Sequence, residues 1–122
     1  MASEKAITNS ILRYLNSIPK CVAYKVPGTA IDNGRPDIAG CIDGKAIQIE
    51  VKTVDTDWKV TDKQMANLMK WSECGALCLV TYSLAFVKEI ITPNGIRLNK
   101  LCKKEAKNCL SEVVLSYDGT KL

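Results

Sequence analysis

Asp37, Glu50 and Lys52 are the side chains of this 122-residue chain whose types and spacing could do chemistry together. The pivot is Ile42-Asp43-Gly44-Lys45, because Asp-Gly supplies the positive φ angles of a two-residue type I′ turn. With Asp43 and Gly44 as the loop, Ile42 pairs with Lys45, and Asp37 falls directly opposite Glu50. Residues paired across an antiparallel ladder share a face with Cβ atoms about 4.5–5.5 Å apart, so the two carboxylates converge. Lys52 projects from the same face because strand side chains alternate with period two. Two acids and a lysine at one end of a hairpin suit a metal site built for phosphate. Hard oxygen ligands favour Mg²⁺ or Mn²⁺, and such an ion lowers the pKa of water and polarises a phosphate. An incidental surface cluster is the plainer reading, but like charges directly opposite each other destabilise a sheet. A three-residue loop with a bulge would shift the register and scatter the group.

The elements around the hairpin must hold it. Ile47, Ile49 and Val51, with Ile38 and Ile42 across from them, form one core face, and Asp37, Gln48, Glu50 and Lys52 lie on the other. Before it, Ser3 caps a helix with Ile7, Ile11, Leu12, Leu15 and Ile18 at helical spacing, ended by Pro19. Glu4 stands on the inward stripe of that helix, where a partner of the helix dipole is one explanation. Residues 20–26 read as a strand, followed by a Pro27-Gly28 turn. In the polar connection 54–60, Trp58 covers the adjoining helix more readily than it stacks on a base. Thr61-Asp62-Lys63-Gln64 is a capping box, opening a helix with Met65, Leu68 and Met69 as its stripe and Gly75 as its stop. Residues 76–82 form a near-continuous apolar run, as in a strand buried on both faces. The order is α-β-β-β-α-β. Beyond it, 83–91 leans helical, Pro93-Asn94-Gly95 is a turn, and Leu98, Leu101, Cys102, Ala106, Cys109 and Leu110 mark a second amphipathic helix. Val113 to Leu122 reads as a final hairpin about Asp118-Gly119.

The Pro36-Asp37 dipeptide, a short strand and Glu50-Val51-Lys52 resemble the signature of the PD-(D/E)xK nuclease superfamily. With Gly34 before the dipeptide, Ile49 before Glu50 and Gln64 further on, the pattern is similar to the VRR-NUC (virus-type replication-repair nuclease) family. The resemblance spans residues 4–82, about two thirds of the chain. It implies an α/β fold with a restriction-endonuclease-like core and mixed sheet, plus a C-terminal helix and hairpin. It also implies a Mg²⁺- or Mn²⁺-dependent DNA endonuclease leaving 5′-phosphate and 3′-hydroxyl ends, with branched DNA such as four-way junctions among its substrates. Asp37, Glu50, Lys52 and Gln64 are then the catalytic candidates. Asp37, Glu50, the Val51 carbonyl and Glu4, the acid available on the first helix, are the metal candidates. Lys52 would orient the attacking water or stabilise the growing negative charge.

Composition bounds these readings. The length suits one domain over 1–122, with a core of about 3–82 and an extension from 83. Apolar content of 47% and charged content of 25% are ordinary for a globular protein. The opening residues lack a signal-peptide pattern and no apolar run reaches membrane length, so a cytoplasmic protein with no membrane partner is expected. Six cysteines in that setting are reduced thiols, with Cys21, Cys41 and Cys78 as small core residues. A four-cysteine zinc site lacks its usual CxxC pairs. The chain contains no histidine, which excludes Ser-His, Cys-His and His-metal chemistry. A net charge of +4 favours a polyanion mildly. Lys88, Arg97, Lys100, Lys103, Lys104 and Lys107 suit a phosphate-tracking surface or a solvated helix face equally. The alternatives to a nuclease are a non-catalytic nucleic-acid-binding module and an assembly factor. The apolar tail 113–117 and the need for two cuts at a junction point to a homodimer.

Overall fold

In the computed structural model Asp43 and Gly44 adopt φ of 47° and 84°, the left-handed pair a type I′ turn requires. The turn joins β2 (Ile38–Ile42) to β3 (Lys45–Val51). Ile42 pairs with Lys45 and Ile38 with Ile49, the register expected from the sequence. The structure describes residues 3–27, 34–53, 60–97 and 113–116. Trp58, the lysines at 100–107, the second amphipathic helix from Leu98 and the Asp118-Gly119 turn all lie outside the described residues.

Five strands form one mixed sheet in the order β1-β2-β3-β4-β7, where β1 is Cys21–Lys25, β4 is Leu77–Thr81 and β7 is Val113–Ser116. β3 and β4 run parallel; every other neighbouring pair is antiparallel. The crossover between the parallel strands is α2 (Asp62–Glu73), as parallel pairing demands a long connection. The tail strand was expected to pair within a terminal hairpin. The turn and second arm of that hairpin lie outside the described residues; the backbone of Val113–Ser116 extends this sheet along β4, so one edge of the tail strand is already paired.

Helices cover both faces. α1 (Glu4–Asn16) and α3 (Leu84–Ile90) pack on one side, where Ile11, Leu15, Ile38, Ile49 and Val51 are fully buried with Leu79 and Ile90. Burying each such side chain contributes about 1.5–3 kcal/mol before entropy is charged against it. On the other side Leu68 of α2 meets Ala76, Cys78 and Val80. Met69, expected on the inward stripe, is half exposed, because α2 reaches only β4 and β7 substantially. α1 starts at Ser3, whose side chain accepts from the Ala6 N–H, and Asn16 near its end clasps β1. Asn16 Nδ2 donates to the Ala23 carbonyl at 2.9 Å and its Oδ1 accepts from Ala23 N at 3.0 Å. That closes the outer edge of β1 at its midpoint. After α3 comes the small hairpin β5 (Ile91–Thr92) and β6 (Gly95–Ile96). Among the described residues no helix is long and apolar enough to cross a membrane.

Candidate active site

The carboxylate cluster sits where the β2–β3 ladder ends. The last pair is Ile38 with Ile49, and Asp37 opposite Glu50 is the next step. There the side chain takes over from the main chain: Asp37 Oδ2 accepts from the Val51 N–H at 2.7 Å. The carboxyl of Asp37 is thereby fixed to the strand that carries Glu50 and Lys52.

Although the sheet face bearing Gln48, Glu50 and Lys52 lies opposite the main core, these residues are 4%, 3% and 9% exposed. This burial was not legible from alternation alone, which left the face open. Glu50 Oε2 takes two donors, Lys52 Nζ at 3.2 Å and Gln64 Nε2 at 2.7 Å. As a carboxylate oxygen Glu50 Oε1 is buried and receives no donor. Burial, then repulsion from Asp37, drives the Glu50 carboxyl up to about 8 against the pull of Lys52. Asp37 is also raised, chiefly by burial, and is held back by the Val51 N–H. Without a cation the Glu50 and Asp37 carboxyls, hydrogen-bonded to each other, therefore tend to hold a proton as a pair.

Gln64 does two things at once. Its Oε1 accepts from Thr61 N at 3.0 Å and its backbone N–H donates to Thr61 Oγ1, completing the capping box. Its Nε2 donates to Glu50. Either Glu or Gln closes a capping box, but a glutamate here would aim a further carboxylate at Glu50. The neighbour decides the choice, not the helix. Glu4 comes close as well: Thr53 Oγ1 donates to its Oε2 at 3.3 Å, and its charge contributes to raising Asp37. Sequence reasoning missed Thr53, and also Asn67, whose Nδ2 donates to Gln48 Oε1 at 3.3 Å. Asn67 sits three residues after Gln64 on one helix face, and that spacing is the signal that could have found it.

Neither models of protein families, nor curated proteins, nor solved structures yield a match to this chain. The site must be read from its own chemistry. Among the described residues no three His, Cys, Asp or Glu side chains gather as a metal cluster. The donor set is instead two facing carboxyls, one with an unpartnered buried oxygen, beside a single lysine. A hard divalent cation fits that set, since it would give Glu50 Oε1 a partner and replace the proton that burial forces onto the pair. Of the cysteines, Cys78 is fully buried and its thiol is pushed up to about 12 by burial. Cys21 and Cys41 are half-buried rather than core residues, and Cys74 is exposed.

Proposed function

We propose that this chain is a metal-dependent phosphodiesterase that cuts DNA, built on a restriction-endonuclease-like core of the VRR-NUC kind. The observation that carries the reading is Glu50, buried against Asp37, Lys52 and Gln64 with one oxygen unpartnered. Sheets do not keep such an arrangement for stability: opposed carboxylates cost energy, and the burial of Glu50 beside a half-buried Asp37 raises that cost.

Asp37 and Glu50 would hold Mg²⁺ or Mn²⁺, with the carbonyl of Val51, the residue after Glu50, beside them and Glu4 at the margin. The ion supplies an activated water and a Lewis acid for the phosphate. The chain's own groups do the rest. Asp37, tied to the Val51 N–H, keeps its carboxylate aimed by the main chain. Gln64 fixes the rotamer of Glu50 through Oε2 and so would leave Oε1 available to the ion. Lys52 carries its positive charge into a site almost closed to water, where it stabilises the negative charge that builds on the phosphate oxygens. Because Lys52 shares Oε2 with Gln64, its ammonium can leave for substrate without stranding the carboxylate.

The deciding experiment incubates the protein with supercoiled plasmid and with a synthetic four-way junction, in Mg²⁺ or Mn²⁺, beside Asp37→Asn. Nicking or junction cleavage by the wild type alone supports the reading. Tight binding without cleavage in either ion would make the chain a nucleic-acid-binding module instead. A twofold dimer would bring two such sites to the two strands of a junction, and light scattering of the DNA complex reads its mass.

A further inference from the structure

Beside the carboxylate cluster, on the same face of the sheet, runs a groove that α2 leaves uncovered. Val22 and Tyr24 of β1 form one wall and are 63% and 61% exposed; Trp71 of α2, 44% exposed, lines the other side. The floor between them is made of small side chains, Ala39, Cys41 and Ala46, with Gln48 at its inner end. The recess holds about 310 Å³. Register explains its shape. Val22, Cys41 and Ala46 stand in one row across the strands, and Tyr24, Ala39 and Gln48 in the next. Continuing along β3, the row after that holds Glu50. Gln48 and Glu50 are two residues apart, about 6.7 Å along a strand, which is the rise of roughly two stacked nucleotides.

Three features say what the groove receives. Its walls set two aromatic rings, Tyr24 and Trp71, open to solvent on either side of the recess, with Val22 beside Tyr24. Its floor ends on an amide, Gln48, which accepts from Asn67 at Oε1. An added β-strand is disfavoured, because Asn16 already occupies the Ala23 N–H and carbonyl on the β1 edge. A flat ring with polar edges matches a recess with aromatic walls and an amide floor, and base–aromatic stacking needs no sequence.

We infer that this groove takes an unpaired nucleobase of the strand whose phosphodiester lies at Asp37 and Glu50, with Tyr24 and Trp71 as its stacking surfaces. The inference rests on the nuclease reading for its polarity, not for its chemistry. The favoured substrate is then a strand whose base is free to leave the stack, as at a flap, a bulge or a junction arm.

The test uses full-length protein carrying Asp37→Asn, so that binding is measured without turnover, and a short fluorescein-labelled single-stranded oligonucleotide read by anisotropy. Tyr24→Ala and Trp71→Ala should each weaken single-strand binding about five- to a hundredfold, the range of one lost stacking contact. Blunt duplex binding should hardly change, and Trp71→Phe should restore most of the loss. Circular dichroism melts of each variant confirm folding, and Tyr24→Val, a non-aromatic residue suited to a strand, serves where Tyr24→Ala does not fold. Absence of single-strand binding by the parent, or equal binding by all variants, overturns the inference. So does a change of oligomeric mass in the variants without a change in oligonucleotide affinity, which would make the groove a protein interface. Cleavage is scored separately on chains with Asp37 intact. No cleavage in any ion, with aromatic-dependent single-strand binding retained, would remove the nuclease reading and leave the groove standing.

Discussion

Glu50→Gln should stabilise the metal-free protein, and by an amount that depends on pH. The carboxyl ionises near 4.5 when free in solution and near 8 in the fold. Below pH 4.5 both states are protonated, and burial of Glu50 carries no ionic penalty. As pH rises through the window between those values, the unfolded chain ionises while the folded chain does not, so stability falls. Above pH 8 the loss levels off. At 1.36 kcal/mol per pKa unit, the penalty at pH 7 is about 3 kcal/mol, growing to about 5 above pH 8. Glutamine escapes it. Its Oε1 can take the place of the oxygen that accepts from Lys52 and Gln64, and its amide nitrogen can then donate to the Asp37 carboxyl, which hydrogen-bonds Glu50 in the wild type. Circular dichroism melts in EDTA at pH 5, 7 and 9 check this. The variant should match the wild type at pH 5 and melt about 10 °C higher at pH 7, using a few degrees per kcal/mol for a chain of this size. With Mn²⁺ the order should reverse, since only the wild type gains a ligand. A variant less stable than the wild type at pH 7 and 9 in EDTA would refute the account of a strained, proton-holding carboxyl.

Other outcomes follow from the same geometry. EDTA should abolish cleavage, and Ca²⁺ should raise the melting temperature without supporting cleavage; full activity in EDTA on a gel assay would exclude the mechanism. Lys52→Ala should lower the cleavage rate at least about a hundredfold, as for loss of a charge-stabilising donor, with Mn²⁺ affinity by calorimetry little changed. Gly40→Ala should destabilise by about 2–3 kcal/mol in urea melts, an overpacking cost. A Cβ there would lie 2.3 Å from the Val22 carbonyl oxygen and 2.9 Å from Ala23 Cβ.

How much was legible in the residues depends on the range of the interaction. The hairpin and its register were, because Asp43-Gly44 admits one turn and the turn fixes every pair after it. So were both caps, since Ser3 and Thr61 bond within their own helix ends. The neighbour of Val113–Ser116 was not: an apolar strand pattern does not name its partner, and only the long-range pairing with β4 does. Nor was the closing of the second sheet face. The apolar stripe of α2 says that it packs, but not how far across the sheet it reaches, which is why Met69 and Trp71 were not foreseen as exposed. The convergence of Asp37 and Glu50 was legible; the bond from Gln64 to Glu50 needed α2 to be set down in space.

That one amide makes the first turn of α2 a reporter. An N-terminal turn normally frays on its own, independently of events on a neighbouring sheet. Here the side chain that holds Thr61 also holds Glu50, so ordering the carboxylate orders the turn. Amide hydrogen exchange at Asp62, Lys63 and Gln64 should then slow when Mn²⁺ or Ca²⁺ is added. Occupancy would be readable in a helix end, with no substrate present and no reaction running.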